Sequence, residues 1–127
     1  MQRFTDLQVW QRSQALAVKV YQVTAGFPRE EKLGITSQVR RAAVSVVANI
    51  AEGSKRDSNV DFGRFLNIAE GSLAETEALL LLSAELGYLT RETLNPHLAE
   101  LGEIARMLHS LRMKVVVTKR HQRTNRV

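Results

Sequence analysis

Apolar residues recur with the period of an α-helix in four long segments of this chain, and strand signals are few. The segments cover residues 5–24, 33–52, 58–86 and 90–114, and short loops containing glycine, proline or serine separate them. Each short loop makes the two helices that it joins antiparallel neighbours. The pattern therefore predicts an all-α fold, an antiparallel up-down-up-down four-helix bundle within residues 1–117.

Local signals predict where the helices begin, end and face the core. Thr5 with Gln8 resembles a capping box, and Gly53 and Gly87 are placed to end the second and third helices. The residues expected on the core side are Leu7, Trp10, Ala17, Val18 and Tyr21 in the first helix, Ile35, Val39, Ala43, Val46 and Ile50 in the second, Phe62, Phe65, Leu66, Ala69, Leu73, Thr76, Leu80 and Ser83 in the third, and Leu94, Leu98, Leu101, Ala105, Leu108 and Leu111 in the fourth.

The third helix contains four consecutive leucines, Leu79 to Leu82. At about 100° per residue they cover far more than one helix face, so a monomeric bundle has no place for all four. This surplus predicts that the bundle oligomerises through helix faces. The alternative is that one of them, such as Leu81, is simply an exposed leucine.

A polar stripe runs along the predicted second helix, next to the small apolar residues Val44, Ala48 and Ala51. It consists of Gln38, Arg41, Ser45, Asn49, Glu52 and Arg56. A stripe of this kind favours a hydrogen-bonded network that fixes helix register or subunit packing. A solvated charged face and a ligand or nucleic-acid site remain open alternatives.

The string NIAEGS occurs twice, at residues 49–54 and 67–72. In the first copy Asn49 and Glu52 belong to the polar stripe, and Gly53 is expected to end the helix. In the second copy Gly71 lies inside a predicted helix, where glycine costs about 1 kcal/mol relative to alanine. We therefore expect a neighbouring backbone to pack closely at Gly71, so that both copies have architectural roles.

The net charge of +5 is concentrated in residues 118–127, which contain four basic residues and no acidic one. We expect this basic tail to be disordered, and its charge suits a polyanion such as nucleic acid. Aromatic residues fall in core-like positions, which predicts contacts to the phosphate backbone with little base specificity. The candidate nucleic-acid-binding residues are Arg12, Lys19, Arg40, Arg41, Lys55, Arg56, Lys119, Arg120, Arg123 and Arg126.

Signals for enzymatic chemistry are weak. The chain has no cysteine, none of its three histidines follows a glutamate by three positions, and no glycine-rich phosphate loop is present. We expect a protein that is not an enzyme and that needs no metal or other cofactor. No apolar segment is long enough to span a membrane and the N-terminus does not resemble a signal peptide, so we expect a cytoplasmic protein without a membrane partner.

Several motifs resemble a known family. They are Phe4 with Leu7-Gln8-Val9-Trp10, the run Gln38-Val39-Arg40-Arg41-Ala42-Ala43-Val44-Ser45, Asn49-Ile50-Ala51-Glu52-Gly53, the run from Phe65 to Glu75, and Leu86-Gly87-Tyr88-Leu89. In order and spacing they are similar to the bacterial four-helix-bundle proteins encoded in intervening sequences of 23S rRNA genes. The resemblance covers about residues 4–115.

The resemblance implies a homopentamer. It also implies a relation to the accessory variability determinant protein of diversity-generating retroelements, a basic pentameric bundle that binds a reverse transcriptase and nucleic acid. Six residues match polar positions of the family and carry over as structural or interaction residues: Arg41, Ser45, Asn49, Glu52, Ser72 and Glu75.

Together the residues and the resemblance favour a non-enzymatic, oligomeric bundle that binds RNA or DNA, or a nucleic-acid-processing partner such as a reverse transcriptase, through basic surfaces. The alternative is a protein-interaction scaffold that makes no direct contact with nucleic acid.

Overall fold

Four α-helices form the protein. The computed structural model describes residues 3–125, with side chains described as far as residue 117, and every regular element in this part of the chain is helical. The helices are α1 (Gln8–Thr24), α2 (Ile35–Ser54), α3 (Asn59–Glu85) and α4 (Arg91–Asn125). Short 3₁₀ turns at Phe4–Asp6 and Arg29–Glu31 precede α1 and α2. The predicted four-helix bundle is confirmed.

Neighbouring helices run antiparallel to each other. On α2 and α3, Ser45 contacts Ser72 and Gly53 lies against Phe65, so the residue number rises on one helix as it falls on the other. The start of α1, the end of α2, the start of α3 and the later part of α4 therefore lie at one end of the bundle. We call it the turn end, after the α2–α3 turn at residues 55–58.

The helix bounds depart from the predictions at the start of the chain. The helix α1 begins at Gln8 with Leu7 as its N-cap, and no side chain caps it. Thr5 is therefore not a cap. The predicted stop at Gly87 agrees with the structure, because α3 ends just before this residue, which has a φ of +80°.

The helix α4 is much longer than predicted. It has 35 residues, or about 52 Å, against 27 residues and about 40 Å for α3. Its backbone continues to Asn125, whereas the sequence predicts an end near Lys114 followed by a disordered tail. The extra turns carry α4 beyond its neighbours at the turn end.

The core contains the predicted stripes of α2 and α3, while those of α1 and α4 are corrected. Val18 and Tyr21 are 53% and 45% exposed, so they do not lie in the core. The buried face of α1 instead includes Val9, Ser13, Leu16, Val20 and Thr24. Buried Ser13 and Thr24 donate hydrogen bonds to the carbonyls of Val9 and Val20, which satisfies both hydroxyls inside the core. In α4 the core position predicted for Ala105 belongs to its neighbour Ile104, which is buried, while Ala105 is exposed.

Most of the leucine surplus is absorbed within the bundle. Leu80 is 1% exposed, and Leu79 and Leu81 pack against the core. Leu82 is the residue left at the surface, 48% exposed. The bundle therefore accommodates three of the four leucines, and the exposed one is Leu82 and not Leu81.

Neither glycine of the repeated string has the role predicted for it. Gly53 does not end α2 as a left-handed residue; it is buried in the last turn, and a methyl group there would lie 2.7 Å from Cβ of Phe65 and 3.0 Å from Cδ1 of Phe62. A methyl group at Gly71 would meet nothing within 4 Å. The close approach of helices therefore occurs at the first copy of the string.

This difference predicts opposite effects of two alanine substitutions. Gly53→Ala forces α2 and α3 apart and lowers the free energy of unfolding by about 1–3 kcal/mol. Gly71→Ala removes backbone freedom from the unfolded chain and creates no clash in the folded one, so it raises the free energy of unfolding by about 0.5–1 kcal/mol. Urea unfolding at one protein concentration measures both. A Gly71→Ala variant that is less stable than the original protein would contradict the open space at this position.

Candidate nucleic-acid interface

Three residues of the predicted polar stripe and its family positions form one hydrogen-bonded group between α2 and α3. The hydroxyl oxygens of Ser45 and Ser72 are 2.8 Å apart. Asn49 Nδ2 donates to the hydroxyl and the carbonyl oxygen of Ser45, at 2.9 and 2.8 Å. All three residues are half-buried, so the group links the two helices through hydrogen bonds of both hydroxyls and the Asn49 amide nitrogen.

The other three predicted network residues do not join this group. Arg41, Glu52 and Glu75 are exposed, and within the described part of the chain none of their side chains has a hydrogen bond or an ion pair. The polar stripe therefore combines two of the alternatives, with a structural link at its centre and a solvated face along its sides.

Arg12 is held by an ion-pair group between α1 and α4. Its Nε and Nη2 donate to the two carboxylate oxygens of Glu100, each at 2.8 Å, and Nη2 also donates to Glu103. The hydrogen bond from Arg12 holds the pKa of Glu100 below its usual range, and the same bonds raise the pKa of Arg12. A guanidinium paired with two carboxylates has little attraction left for phosphate.

Arg40 also has partners within the chain. Its Nε donates to the hydroxyl of Thr24 at 2.8 Å, and Nη2 donates to the carbonyl of Tyr21 at 3.2 Å. Its guanidinium lies 4.6 Å from the centre of the Tyr21 ring. Arg40 thus satisfies the C-terminal end of α1 and supports the bundle.

Lys55 and Arg56 remain exposed in the α2–α3 turn, where a cation also offsets the negative end of the α2 dipole. The guanidinium of Arg56 lies 4.7 Å from the centre of the Phe65 ring, and that of Arg64 lies 5.2 Å from it. Arg64 also has an exposed ion pair with Asp61, at 3.7 Å. We call Lys55, Arg56 and Arg64 the basic cluster.

Sequence reasoning missed Arg64. It lies next to Phe65, which the helical period correctly assigns to the core, but the rim of that ring is within reach of two arginines. An arginine beside a core aromatic residue in the first turns of a helix is the only signal in the sequence, and it is a weak one.

Two open grooves flank the basic cluster. One, of about 400 Å³, is lined by Phe4, Ala51, Glu52, Lys55 and Arg56. The other, of about 290 Å³, lies between α3 and α4 and is lined by Asn59, Val60, Gly63, Arg64, Asn67, Arg112 and Val116. Arg112 in the second groove is paired with Glu70, and Arg64 has its exposed ion pair with Asp61.

The opposite end of the bundle has balanced charge. The loop before α2 carries Arg29, Glu30, Glu31 and Lys32 in sequence. The hydroxyl of Tyr88 donates a hydrogen bond to the Glu31 carboxylate at 2.8 Å, and this bond raises the pKa of Tyr88. It also links this loop to the α3–α4 connection. The turn end also carries acidic residues, Glu52, Asp57 and Asp61, but Lys55 and Arg56 there have no carboxylate partner among the described residues.

The remaining predicted candidates lie elsewhere. Lys19 and Arg41 are exposed on the sides of α1 and α2, away from the turn end. Lys119, Arg120, Arg123 and Arg126 lie outside the residues whose side chains are described. Over the described residues, no group of three or more histidine, aspartate or glutamate side chains is arranged to hold a metal ion, and no helix is long and apolar enough to cross a membrane.

A family model described as the 23S rRNA-intervening sequence protein matches residues 5–110. The chain belongs to this family. A solved structure from Bacteroides thetaiotaomicron VPI-5482, a protein of unknown function from the S23 ribosomal protein family, has 30% sequence identity and a TM-score of 0.74, and the match covers 82% of this chain and 97% of that one. No significant match is found among curated proteins.

The family match bears on the candidate residues. It includes Arg12, Lys55, Arg56 and Arg64 and ends before the last turns of α4. The basic cluster therefore lies in the part of the chain shared with the family, whereas the basic tail lies outside it.

The Arg12 group predicts a pH-dependent loss of stability. Because folding lowers the pKa of Glu100, its contribution is fully present above the ordinary glutamate pKa of about 4.3 and is lost as the pH falls through the lower folded value. We expect Glu100→Gln to be less stable than the original protein at neutral pH, with a difference that shrinks in acid. Chemical unfolding between neutral and acid pH measures it.

Glu77→Gln is the matched control, because Glu77 is exposed and has no ion pair within the described part of the chain. It should differ little from the original protein at every pH. A stability deficit of Glu100→Gln that stays constant as the pH falls would show that the carboxylate charge is not responsible.

Proposed function

We propose that the protein binds RNA or DNA through its turn end, chiefly by contacts to the phosphate backbone. The observation that carries the proposal is the basic cluster. Lys55 and Arg56 are exposed and have no carboxylate partner among the described residues, while Arg12 and Arg40, equally basic in sequence, are occupied inside the bundle. Lys55 and Arg56 therefore offer unpaired positive charge at the turn end.

The rim of Phe65 supports the cluster physically. The Arg56 guanidinium is held over the ring without an ion pair among the described residues, because an aromatic quadrupole attracts a cation but carries no net charge. Such a side chain keeps its hydrogen-bond donors for a phosphate and loses little side-chain entropy when it binds one.

The long helix α4 also extends the surface at the turn end. Its backbone extends past the bundle as far as Asn125, and the sequence of residues 118–125 includes Lys119, Arg120 and Arg123. A helix that projects from the basic cluster would lengthen the path along which a phosphate backbone is contacted. Binding of this kind is weakly specific for sequence and depends strongly on salt.

A charge-matched pair of double variants tests the proposal. Lys55→Gln with Arg56→Gln should weaken binding of a structured RNA hairpin and reduce the slope of log K against log salt by about 0.9 for each phosphate that the variant no longer neutralises. Arg29→Gln with Lys32→Gln removes one lysine and one arginine from the exposed opposite end and should leave binding unchanged. Fluorescence anisotropy of labelled RNA across a salt series measures both.

Equal binding by the two double variants would contradict a basic-end interface, and absence of binding by the original protein at low salt would contradict nucleic-acid binding altogether. In the second case the scaffold alternative, with a protein partner and no nucleic acid, becomes the better account.

We also propose that the chain assembles with copies of itself. Between α1 and α2 lies an apolar groove of about 260 Å³, lined by Gln14, Ala17, Val18, Tyr21, Val44 and Val47. A different apolar surface lies on α3, where Ile68, Leu82 and Leu86 are 44%, 48% and 49% exposed. Two unlike apolar surfaces on one chain suit a head-to-tail contact, which closes into a ring if the rotation allows it.

Light scattering of the purified protein should therefore give a mass several-fold above the 14.3 kDa of one chain. Val44→Glu places a charge in the α1–α2 groove and should shift the mass toward 14.3 kDa, because burying an unpaired carboxylate in an interface is costly. Ala105→Glu, at an exposed position of α4, is the control. A monomeric original protein would contradict self-assembly.

A further inference from the structure

The groove beside the α2–α3 turn contains more than positive charge. Its lining combines the aromatic ring of Phe4, the carboxylate of Glu52 and the cations of Lys55 and Arg56. A phosphate site needs only the cations. An aromatic face, an acceptor-only carboxylate and two donors together match the three parts of a nucleotide: the base, the hydrogen-bond donors of its edge or sugar, and the phosphate.

Phe4 is held at this groove by its own local structure. It begins the first 3₁₀ turn, in which Leu7 N donates to the carbonyl of Phe4 at 3.0 Å. Its ring packs edge-on against Trp10, with the ring centres 5.1 Å apart. The side chain is half-buried, so it is positioned by Trp10 while part of the ring faces the groove.

The polar residues of the groove are available. Glu52, Lys55 and Arg56 are all exposed, and none of their side chains forms a hydrogen bond or an ion pair with another residue of the described chain. Arg56 rests on the Phe65 ring, and this contact leaves its hydrogen-bond donors unused. The groove holds two positive charges and one negative charge, so one phosphodiester group would balance it.

We propose that this groove binds one unpaired nucleotide of a single-stranded nucleic acid. The base stacks on Phe4, the phosphate is bound by Lys55 and Arg56, and Glu52 accepts a hydrogen bond from an N–H of the base or a hydroxyl of the sugar. The proposal rests on the basic-end interface and assigns it a preferred substrate, a strand with accessible bases.

Stacking of a base on Phe4 favours the binding of single strands over double strands. In a duplex both faces of each base are covered by its neighbours, so Phe4 can add affinity only for an unpaired base. The groove is open to solvent, which suits one nucleotide of a longer strand. Its volume of about 400 Å³ is also within the range of roughly 300–1,000 Å³ found for small-molecule sites.

The structure supplies an internal reporter for the test. Trp10 is the single tryptophan of the chain and packs directly on Phe4. Titration with guanosine monophosphate should change the Trp10 fluorescence in a saturable way. Inorganic phosphate at the same ionic strength should not, because it has no base to stack on Phe4 beside Trp10. Unchanged fluorescence with the nucleotide would overturn the proposal.

Substitution of Phe4 separates stacking from charge. Phe4→Leu keeps an apolar side chain against Trp10 but removes the aromatic face, and it should weaken binding of a single-stranded oligonucleotide by about fivefold or more. Phe4→Tyr keeps the aromatic face and should bind like the original protein. Binding of a blunt duplex should be the same for all three proteins, and circular dichroism checks that each is folded.

The same measurements distinguish this inference from the proposed function. If Lys55→Gln with Arg56→Gln weakens both single and double strands while Phe4→Leu weakens neither, the nucleotide groove is overturned and the basic-end interface stands. If neither the charge variant nor the Phe4 variant changes any affinity, both are overturned.

Discussion

The close approach of α2 and α3 at Gly53 is the contact on which the arrangement of this bundle depends. Because position 53 has no side chain, the first turn of α3 packs with Phe65 and Phe62 directly against the last turn of α2. The connection between the helices is then only a few residues long, and Ser45, Asn49 and Ser72 meet farther along the same pair. This contact fixes where Lys55, Arg56 and Arg64 lie.

The ion pairs of the bundle determine which of its charges are available. Arg12 joins α1 to α4 through Glu100 and Glu103, and Arg112 joins α4 to α3 through Glu70. Each of these arginines supports a helix contact and is neutralised by it. The basic cluster is different, because Arg56 rests on Phe65, a support without charge, and Lys55 has no carboxylate partner among the described residues. Arg64 also lies over Phe65 but has an exposed ion pair with Asp61. Lys55 and Arg56 thereby leave unpaired positive charge at the turn end.

The sequence predicted the helices and most of the core but not the partners of individual polar residues. The long stripe of α3 was predictable because it is periodic over many turns. The face of α1 was not, since buried Ser13 and Thr24 satisfy their hydroxyls within the helix and large Tyr21 lies outside. The roles of Gly53 and Gly71, and the pairing of Arg12 with residues 88 and 91 positions away, depend on helix packing that local sequence does not encode.

The central claim is that nucleic acid contacts the turn end of the bundle. Photo-cross-linking to a single-stranded RNA that carries thio-substituted bases, followed by mass spectrometry of the linked peptides, locates the contact without any substitution in the protein. The account predicts cross-links in the peptides that contain Phe4 and Lys55 to Arg64, with others from the end of α4. Cross-links confined to the loop from Arg29 to Lys32, or to the sides of α1 and α2, would contradict it.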